Sequence, residues 1–309
     1  MKKRTKIVII VILVVLLAVL TGIVIWNILR HISKEKILSF KETYNEEGIA
    51  INTDIPYIDK QPGYMYRSPE TIRYHSDITD TERKAMVYLP ADYDKDKKYP
   101  VLYLLHGYGG SQKTWHNKNA DVIIQNLYYF KDATEMIVVC PDCVVGVDVD
   151  SDISFWDAIQ YFDLTEDEII NNLMPYIESH YPVKTGRENT AIAGNSMGGR
   201  NALAIGFKHQ DMFGYVGGFS SVSPLYQDRY QNSIPALLDE LSIDESVGPF
   251  ELLMICVGRS DDACGDVTYE LDDYFNQRKI EHIFYDVEGG HQNTVWQNAL
   301  YNFVQRIFK

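Results

Sequence analysis

Cysteine is scarce in this chain, with four residues in 309. Cys140 and Cys143 form one C-x-x-C pair, but no second pair stands at zinc spacing and no βαβ redox context surrounds it. That argues against a metal centre, and no metal ligand set is assigned. Cys256 lies inside the strand-like run Leu252 to Val257 and reads as a buried apolar residue. With Cys264 it completes an even count, and a local Cys140–Cys143 disulfide stays open on sequence alone. Basic residues are also in deficit, 29 Lys/Arg against 43 Asp/Glu, for a net charge of −14. Residues 1–36 carry seven Lys/Arg and one Glu, a balance of +6, so the remainder stands at −20. A surface that acidic repels phosphate backbones, which excludes nucleic acid as the expected partner. There is no internal repeat and no low-complexity tract.

What is present begins with one long apolar run. Lys2, Lys3, Arg4 and Lys6 precede Ile7 to Leu29, a stretch broken only by the uncharged Thr21, Gly22 and Asn27. That is about the 20 residues a helix needs to cross a bilayer, and Trp26 falls where an interfacial aromatic belongs. A cleaved signal peptide is the alternative. Its apolar core is usually about 7–15 residues and ends at small residues. Here the run is longer, no such site follows it, and no cysteine offers lipid attachment. Arg30, Lys34 and Lys36 follow the run, so charge favours a cytoplasmic N-terminus only modestly. The reading is a single-pass anchor over residues 1–36, a polar stalk over 37–62 ending at Gln61-Pro62-Gly63, and a catalytic domain over 63–309.

From there strand and helix signals alternate. Strands are expected at Lys84 to Leu89, Val101 to Leu105, Met136 to Val139, Thr190 to Ala193, Tyr215 to Phe219, Leu252 to Val257 and His282 to Val287. Helices are expected at Ala120 to Phe130, Thr165 to His180, Met197 to Phe207, Val267 to Gln277 and Val295 to Phe308. Thr165 and Glu168 have the spacing of a capping box at the second of these. The alternation predicts an α/β fold, a mostly parallel central sheet with helices on both faces.

Gly194-Asn195-Ser196-Met197-Gly198 reads G-x-S-x-G between a strand signal and a helix signal, the context of a nucleophile elbow. A chain of this length holds roughly 0.1 such matches by chance, so the surrounding residues decide its meaning. Ser196 needs a base to take its proton. His291, after Gly289-Gly290 and the strand signal before them, is placed to do so. Asp261 and Asp262 follow the strand ending at Val257-Gly258, and either carboxylate would hold the imidazole. The order Ser, Asp, His is that of an α/β-hydrolase. His106-Gly107-Tyr108-Gly109-Gly110 follows the strand Val101 to Leu105 and resembles an oxyanion-hole loop. The oxyanion donors are expected to be the backbone N–H groups of Tyr108 and Met197, with Gly109 as the alternative to Tyr108. His106 reads as a residue bonding loop backbone rather than a second base. Trp115, Trp156 and Trp296 could line a pocket or pack internally.

These residues carry a family resemblance. Val87 to Pro90, Tyr99 to Gly107, Leu173 to His180, Ala191 to Gly199 and Gly289-Gly290-His291 with Val295-Trp296 resemble the feruloyl esterase and acetyl xylan esterase family, which also holds esterase D-type hydrolases and mycolyltransferases. The resemblance implies an α/β-hydrolase fold with Ser196 as nucleophile and His291 as base. It favours Asp261 over Asp262, because the family's acid follows a G-x-x-D pattern, here Gly258 to Asp261. It also implies export, and hence a catalytic domain on the extracellular side of the cell membrane. The stretch Cys143 to Phe162, with Phe155, Trp156 and Tyr161, departs from the pattern and reads either as a cover over the site or as a solvated loop. The expected partners are an ester substrate, acylated carbohydrate in particular, and the membrane through the N-terminal helix. The chemistry needs no cofactor. An imidazole base works only when neutral, so activity is expected to fall on the acid side, through roughly pH 6.5. Two rivals are kept: an acyltransferase on the same fold, and a surface-binding module without activity.

Overall fold

The computed structural model describes residues 2–147, 153–225 and 234–309. One eight-stranded sheet organises it. In chain order the strands are β1 (Glu70–Ser76), β2 (Thr81–Tyr88), β3 (Val101–Leu105), β4 (Ile137–Pro141), β5 (Thr190–Asn195), β6 (Tyr215–Phe219), β7 (Leu252–Gly258) and β8 (Ile283–Val287). Their spatial order is β1-β2-β4-β3-β5-β6-β7-β8. β2 runs antiparallel to both β1 and β4, and every pair from β4–β3 to β7–β8 is parallel. This is the expected mostly parallel α/β-hydrolase sheet.

β3, β4, β5 and β6 are buried along their whole length. Sequence alternation therefore splits the core rather than separating inside from outside. Val101, Tyr103 and Leu105 pack on one face with Leu203 and Phe213, while Leu102 and Leu104 pack on the other with Ile124 and Leu300. The helices that cover these faces are α2 (Thr114–Asn117), α3 (Ala120–Phe130), α4 (Phe155–Asp163), α5 (Thr165–Glu168), α6 (Met174–His180), α7 (Met197–Lys208), α8 (Gly265–Arg278) and α9 (Asn293–Val304). All follow the long N-terminal helix α1 (Lys2–Leu38).

Three features differ from the sequence reading or were left open by it. The helix expected over 165–180 is divided by a π-helical turn at Ile169–Leu173, and its capping box does not form. Leu164, not Thr165, occupies the N-cap, and no side chain caps it. Thr165 Oγ1 instead donates to Cys143 O at 2.9 Å, and Glu168 turns inward to accept Ser76 Oγ at 2.6 Å and to pair with Arg83 Nε at 3.3 Å. Long-range partners outcompeted the local cap. Second, the four cysteines are all free and buried, so the open Cys140–Cys143 disulfide is not formed. Third, residues 37–62 are not a free stalk. Ile37, Ile49, Ile55 and Tyr57 are buried in the core beneath α3 and α9. Asn298 and Asn302 donate to Ala50 O at 2.9 and 2.8 Å, and Glu42 pairs with Lys131 at 2.7 Å.

α1 itself is long and apolar enough to cross a bilayer over Lys6–Leu38, with a mean hydropathy of 3.5 in its most apolar window, none of it buried. Its C-terminal turns are docked. Ser33 Oγ donates to Pro62 O at 2.7 Å, and Ile37 is buried. At 1.5 Å per residue, Lys6–Leu38 is about 50 Å long, roughly 20 Å more than a hydrocarbon core.

The Arg83–Glu168 pair lies almost wholly out of water. Removing one partner from such a pair leaves an uncompensated charge. Glu168→Ala is expected to lower the unfolding free energy by about 3–5 kcal/mol in urea denaturation. A loss below about 1 kcal/mol, the range of an exposed pair, would refute that role.

Candidate active site

β5 delivers Ser196 to the carboxyl edge of the sheet through a turn that few residues tolerate. Ser196 has φ 56° and ψ −123°, a backbone conformation that costs an L-residue of order 1–3 kcal/mol and that recurs at functional sites. The turn requires glycine on either side. A Cβ on Gly194 would lie 2.5 Å from Gly198 C, and one on Gly198 would lie 2.6 Å from Leu105 O. Strand, helix and the neighbouring strand therefore touch backbone to backbone, and Ser196 is the residue pushed outward. Ser196 N donates to Phe219 O at 2.9 Å, which pins the turn to β6.

Met197 opens α7, so its N–H has no intrahelical acceptor. The loop after β3 comes alongside, since a Cβ on Gly107 would be 2.9 Å from Ser196 Cβ. Among the described residues, the N–H groups of Tyr108, Gly109 and Met197 donate to no acceptor outside regular helices and strands, whereas Gly110 N closes the loop onto Gly107 O at 3.1 Å. Tyr108 and Gly109 both line the cavity with Ser196, so the choice between them as donor is not narrowed by position. His106 has the backbone-bonding role expected of it. Its Nε2 accepts Cys143 N–H at 2.9 Å and its Nδ1 donates to Gly107 O at 2.8 Å, so both ring nitrogens are used holding loops.

Asp261 follows β7 and His291 follows β8, and the two side chains meet. His291 Nδ1 lies 2.9 Å from Asp261 Oδ2 and 3.1 Å from Oδ1. With Nδ1–H donating there, Nε2 is left as a proton acceptor. Burial acts to raise the Asp261 carboxyl, but the His291 bond and the Cys264 N–H bond outweigh it and hold it below the usual aspartate range. Asp262 has no comparable contact among the described residues. Ser196 Oγ makes no hydrogen bond to the imidazole among the described residues; such contacts tighten when substrate binds. The Cys264 sulfur lies with Asp261 and His291 in one cluster, all within 4.8 Å. Burial first, and then the Asp261 charge, push that thiol up to about 12, so it stays protonated.

These residues open on one cavity of about 550 Å³. Ser196, His291, Tyr108 and Trp296 were foreseen by sequence as site or pocket residues, and all line it. Trp115 does not; it is fully buried and donates Nε1–H to Leu105 O at 2.9 Å. Trp156 is half exposed. Of the stretch 143–162, residues 148–152 lie outside the described residues, and α4 was not expected at all. Phe155, at the start of α4, lines the cavity, and its ring meets that of Tyr108 edge to face at 5.2 Å. Tyr108 Oη donates to Ile153 O at 2.8 Å, which ties Ile153 to the loop after β3. The start of α4 is thus part of the cavity wall. Its signal was the aromatic pair Phe155-Trp156 in an otherwise acidic segment. Lys118 was missed outright, and it too lines the cavity.

Comparison with known proteins finds esterases. Over 186 residues the chain is 33% identical to an endo-1,4-beta-xylanase/feruloyl esterase of Xylanibacter ruminicola, a match covering 56% of this chain and 24% of that longer protein. It is 24% identical over 268 residues to an acetyl esterase of Caldicellulosiruptor saccharolyticus, covering 75% and 94% of the two chains. Among solved structures, a CE1 ferulic acid esterase from Anaeromyces mucronatus superposes with a TM-score of 0.70 at 32% identity, covering 84% of this chain and 98% of that one. The same enzyme has been solved in complex with ferulic acid. Residues 76–307 match the family model described as putative esterase, and it is to this esterase family, on the α/β-hydrolase fold, that the chain belongs.

Proposed function

We propose that the protein is a membrane-anchored serine esterase working outside the cell on acylated carbohydrate, with feruloyl or acetyl groups as the acyl part. The observation that carries this is the convergence of a strained elbow serine and a hydrogen-bonded Asp261–His291 pair on a single cavity. In this reading His291 Nε2 takes the Ser196 proton as Oγ attacks the ester carbonyl. Negative charge on the carbonyl oxygen is met by the N–H groups of Met197 and Tyr108, reinforced by the positive end of α7. The protonated imidazole, held and stabilised by Asp261, then gives its proton to the leaving alcohol. Water repeats the sequence on the acyl-enzyme and releases the acid. Every proton moves through one side chain, and no cofactor is drawn on.

The substrate class is supported from two sides. The names of the relatives pair feruloyl and acetyl esterases. The cavity walls offer Phe155, Tyr108, Val222 and Trp296, an apolar and aromatic surface suited to a hydroxycinnamoyl group. Anchoring is supported by α1, which runs without interruption from its apolar span into the turns that dock on the body.

Four measurements test the proposal. Ser196→Ala should lower p-nitrophenyl acetate turnover by about 10⁶-fold; intact hydrolysis would overturn the assignment. Asp261→Asn should reduce kcat by about 10⁴ through loss of the imidazole's orientation. Because the Asp261 carboxyl is held low in the folded state, its contribution to stability is in place above about pH 3.9 and is lost as pH falls through the lower folded value. The stability gap between wild type and Asp261→Asn should therefore close below about pH 4, and a gap unchanged down to pH 2 would contradict the linkage. Deleting residues 2–29 should move the protein from the membrane fraction to the soluble one with its esterase activity retained; a wild-type protein already soluble, with its N-terminus cleaved, would identify a signal peptide instead.

A further inference from the structure

Lys118 is the one lysine or arginine among the described residues lining the cavity. Its placement is unusual. The residue is only 7% exposed, and among the described residues no carboxylate stands within ion-pair distance. Its ammonium lies 4.0 Å from the ring centroid of Trp296 and 4.9 Å from that of Trp115. One hydrogen bond is made, from Nζ to Asn195 Oδ1 at 3.3 Å, and Asn195 is the residue before Ser196. Trp296 in turn meets the His291 ring edge to face at 5.0 Å. The ammonium therefore sits between the elbow and the base, in the wall of the substrate cavity.

An ammonium carries three N–H donors, and only one is used. Taking a cation out of water without a counter-ion is costly. Two aromatic faces return part of that, on the order of 0.5–2 kcal/mol each. Burial pushes the amino group down to about 7. The fold does not need a charge here for packing, since a methionine would fill the same volume between the two indoles. What the ammonium supplies is donor capacity in the cavity wall.

We propose that Lys118 is a substrate-recognition residue, whose free N–H groups donate to an acceptor oxygen of the bound ester, so that the site selects oxygen-bearing ligands over hydrocarbon ones of the same shape. Two sources offer that oxygen: the ring hydroxyl and methoxyl of a hydroxycinnamoyl acyl group, or a hydroxyl of the sugar alcohol. This rests on the esterase reading above and names what the same cavity recognises.

The test separates recognition from turnover. In full-length Ser196→Ala, ligand binding is followed by quenching of tryptophan fluorescence, with Trp296 as the nearest reporter. The acyl arm compares methyl ferulate with methyl cinnamate, which lacks the ring oxygens. The alcohol arm compares the feruloyl ester of methyl arabinofuranoside with methyl ferulate. A preference of about tenfold or more is expected in at least one arm, the range of a hydrogen bond to a charged group. Adding Lys118→Met should bring that preference to within about twofold, and Lys118→Gln, which keeps a donor, should retain part of it. The arm that collapses identifies the source of the oxygen. The proposal is overturned if Ser196→Ala shows no preference in either arm. It is equally overturned if Lys118→Met weakens both members of each pair by the same factor, the mark of a structural role through Asn195. If Lys118→Met fails to fold, the ratio is read from Lys118→Gln, where an undiminished preference overturns it. Hydrolysis of p-nitrophenyl acetate by the wild type reports separately on the esterase reading.

Discussion

Everything at the site depends on how closely three backbone segments approach one another. β3, β5 and the first turn of α7 converge where no side chain fits, with Leu105 and Gly194 against Gly198. The contact fixes the direction in which the chain must leave β5. It gives Ser196 its positive φ and pushes the hydroxyl into the cavity. It also sets where the loop after β3 runs, because Leu105 ends β3 and Gly107 lies against Ser196. Ser196 and the loop that carries Gly107 are thus positioned by one packing event. A larger residue at Gly198 would displace both together, since its Cβ would meet the carbonyl oxygens of Leu105 and His106.

Asp261 and His291 arrive from farther along the sheet, by a different route. Asp261 is fixed by its own turn, accepting N–H bonds from Ala263 and Cys264 at 3.0 and 2.8 Å just before α8. His291 is held by Asp261 on one side and by the Trp296 edge on the other. Neither depends on the elbow for its orientation. Parallel pairing of β5, β6, β7 and β8 in register is what brings the two assemblies to the same edge. The sheet acts as a ruler, and the chemistry is spread over loops that need only leave it at its carboxyl ends.

This division explains what could be read from the chain in advance. The interior strands were legible because each is a short, wholly apolar run, buried on both faces. The turn at Ser196, His291 and the glycine-rich loop after β3 were legible because glycines mark them locally. β1 was not, since Glu70–Ser76 alternates polar and apolar residues at the edge of the sheet and exposes half of them. The Thr165/Glu168 capping box was misread for a related reason. The pattern is local, yet the partners that won, Cys143 O, Ser76 and Arg83, lie 22 to 92 residues away in sequence. The apparent stalk failed in the same way: Asn298 and Asn302, which fasten it, are about 250 residues away.

Lys118 shows where such reading stops. In sequence it is one more polar residue between Trp115 and the amphipathic start of α3, the usual place for a solvated lysine. Its character comes from three elements that only the fold assembles: Trp115 beside it in α2, Asn195 at the end of β5 and Trp296 in α9. The backbone of Lys118 is held as well, its carbonyl accepting Gln297 Nε2–H at 2.8 Å. A side chain with four rotatable bonds is thereby confined to one box, so the entropy of placing its ammonium is lost on folding rather than on binding. A hydrogen bond made from a donor already ordered and already stripped of water keeps more of its strength than one made from a mobile surface lysine. That pre-organisation is what qualifies Lys118, rather than the acidic surface outside, to discriminate among esters that Ser196 would otherwise treat alike.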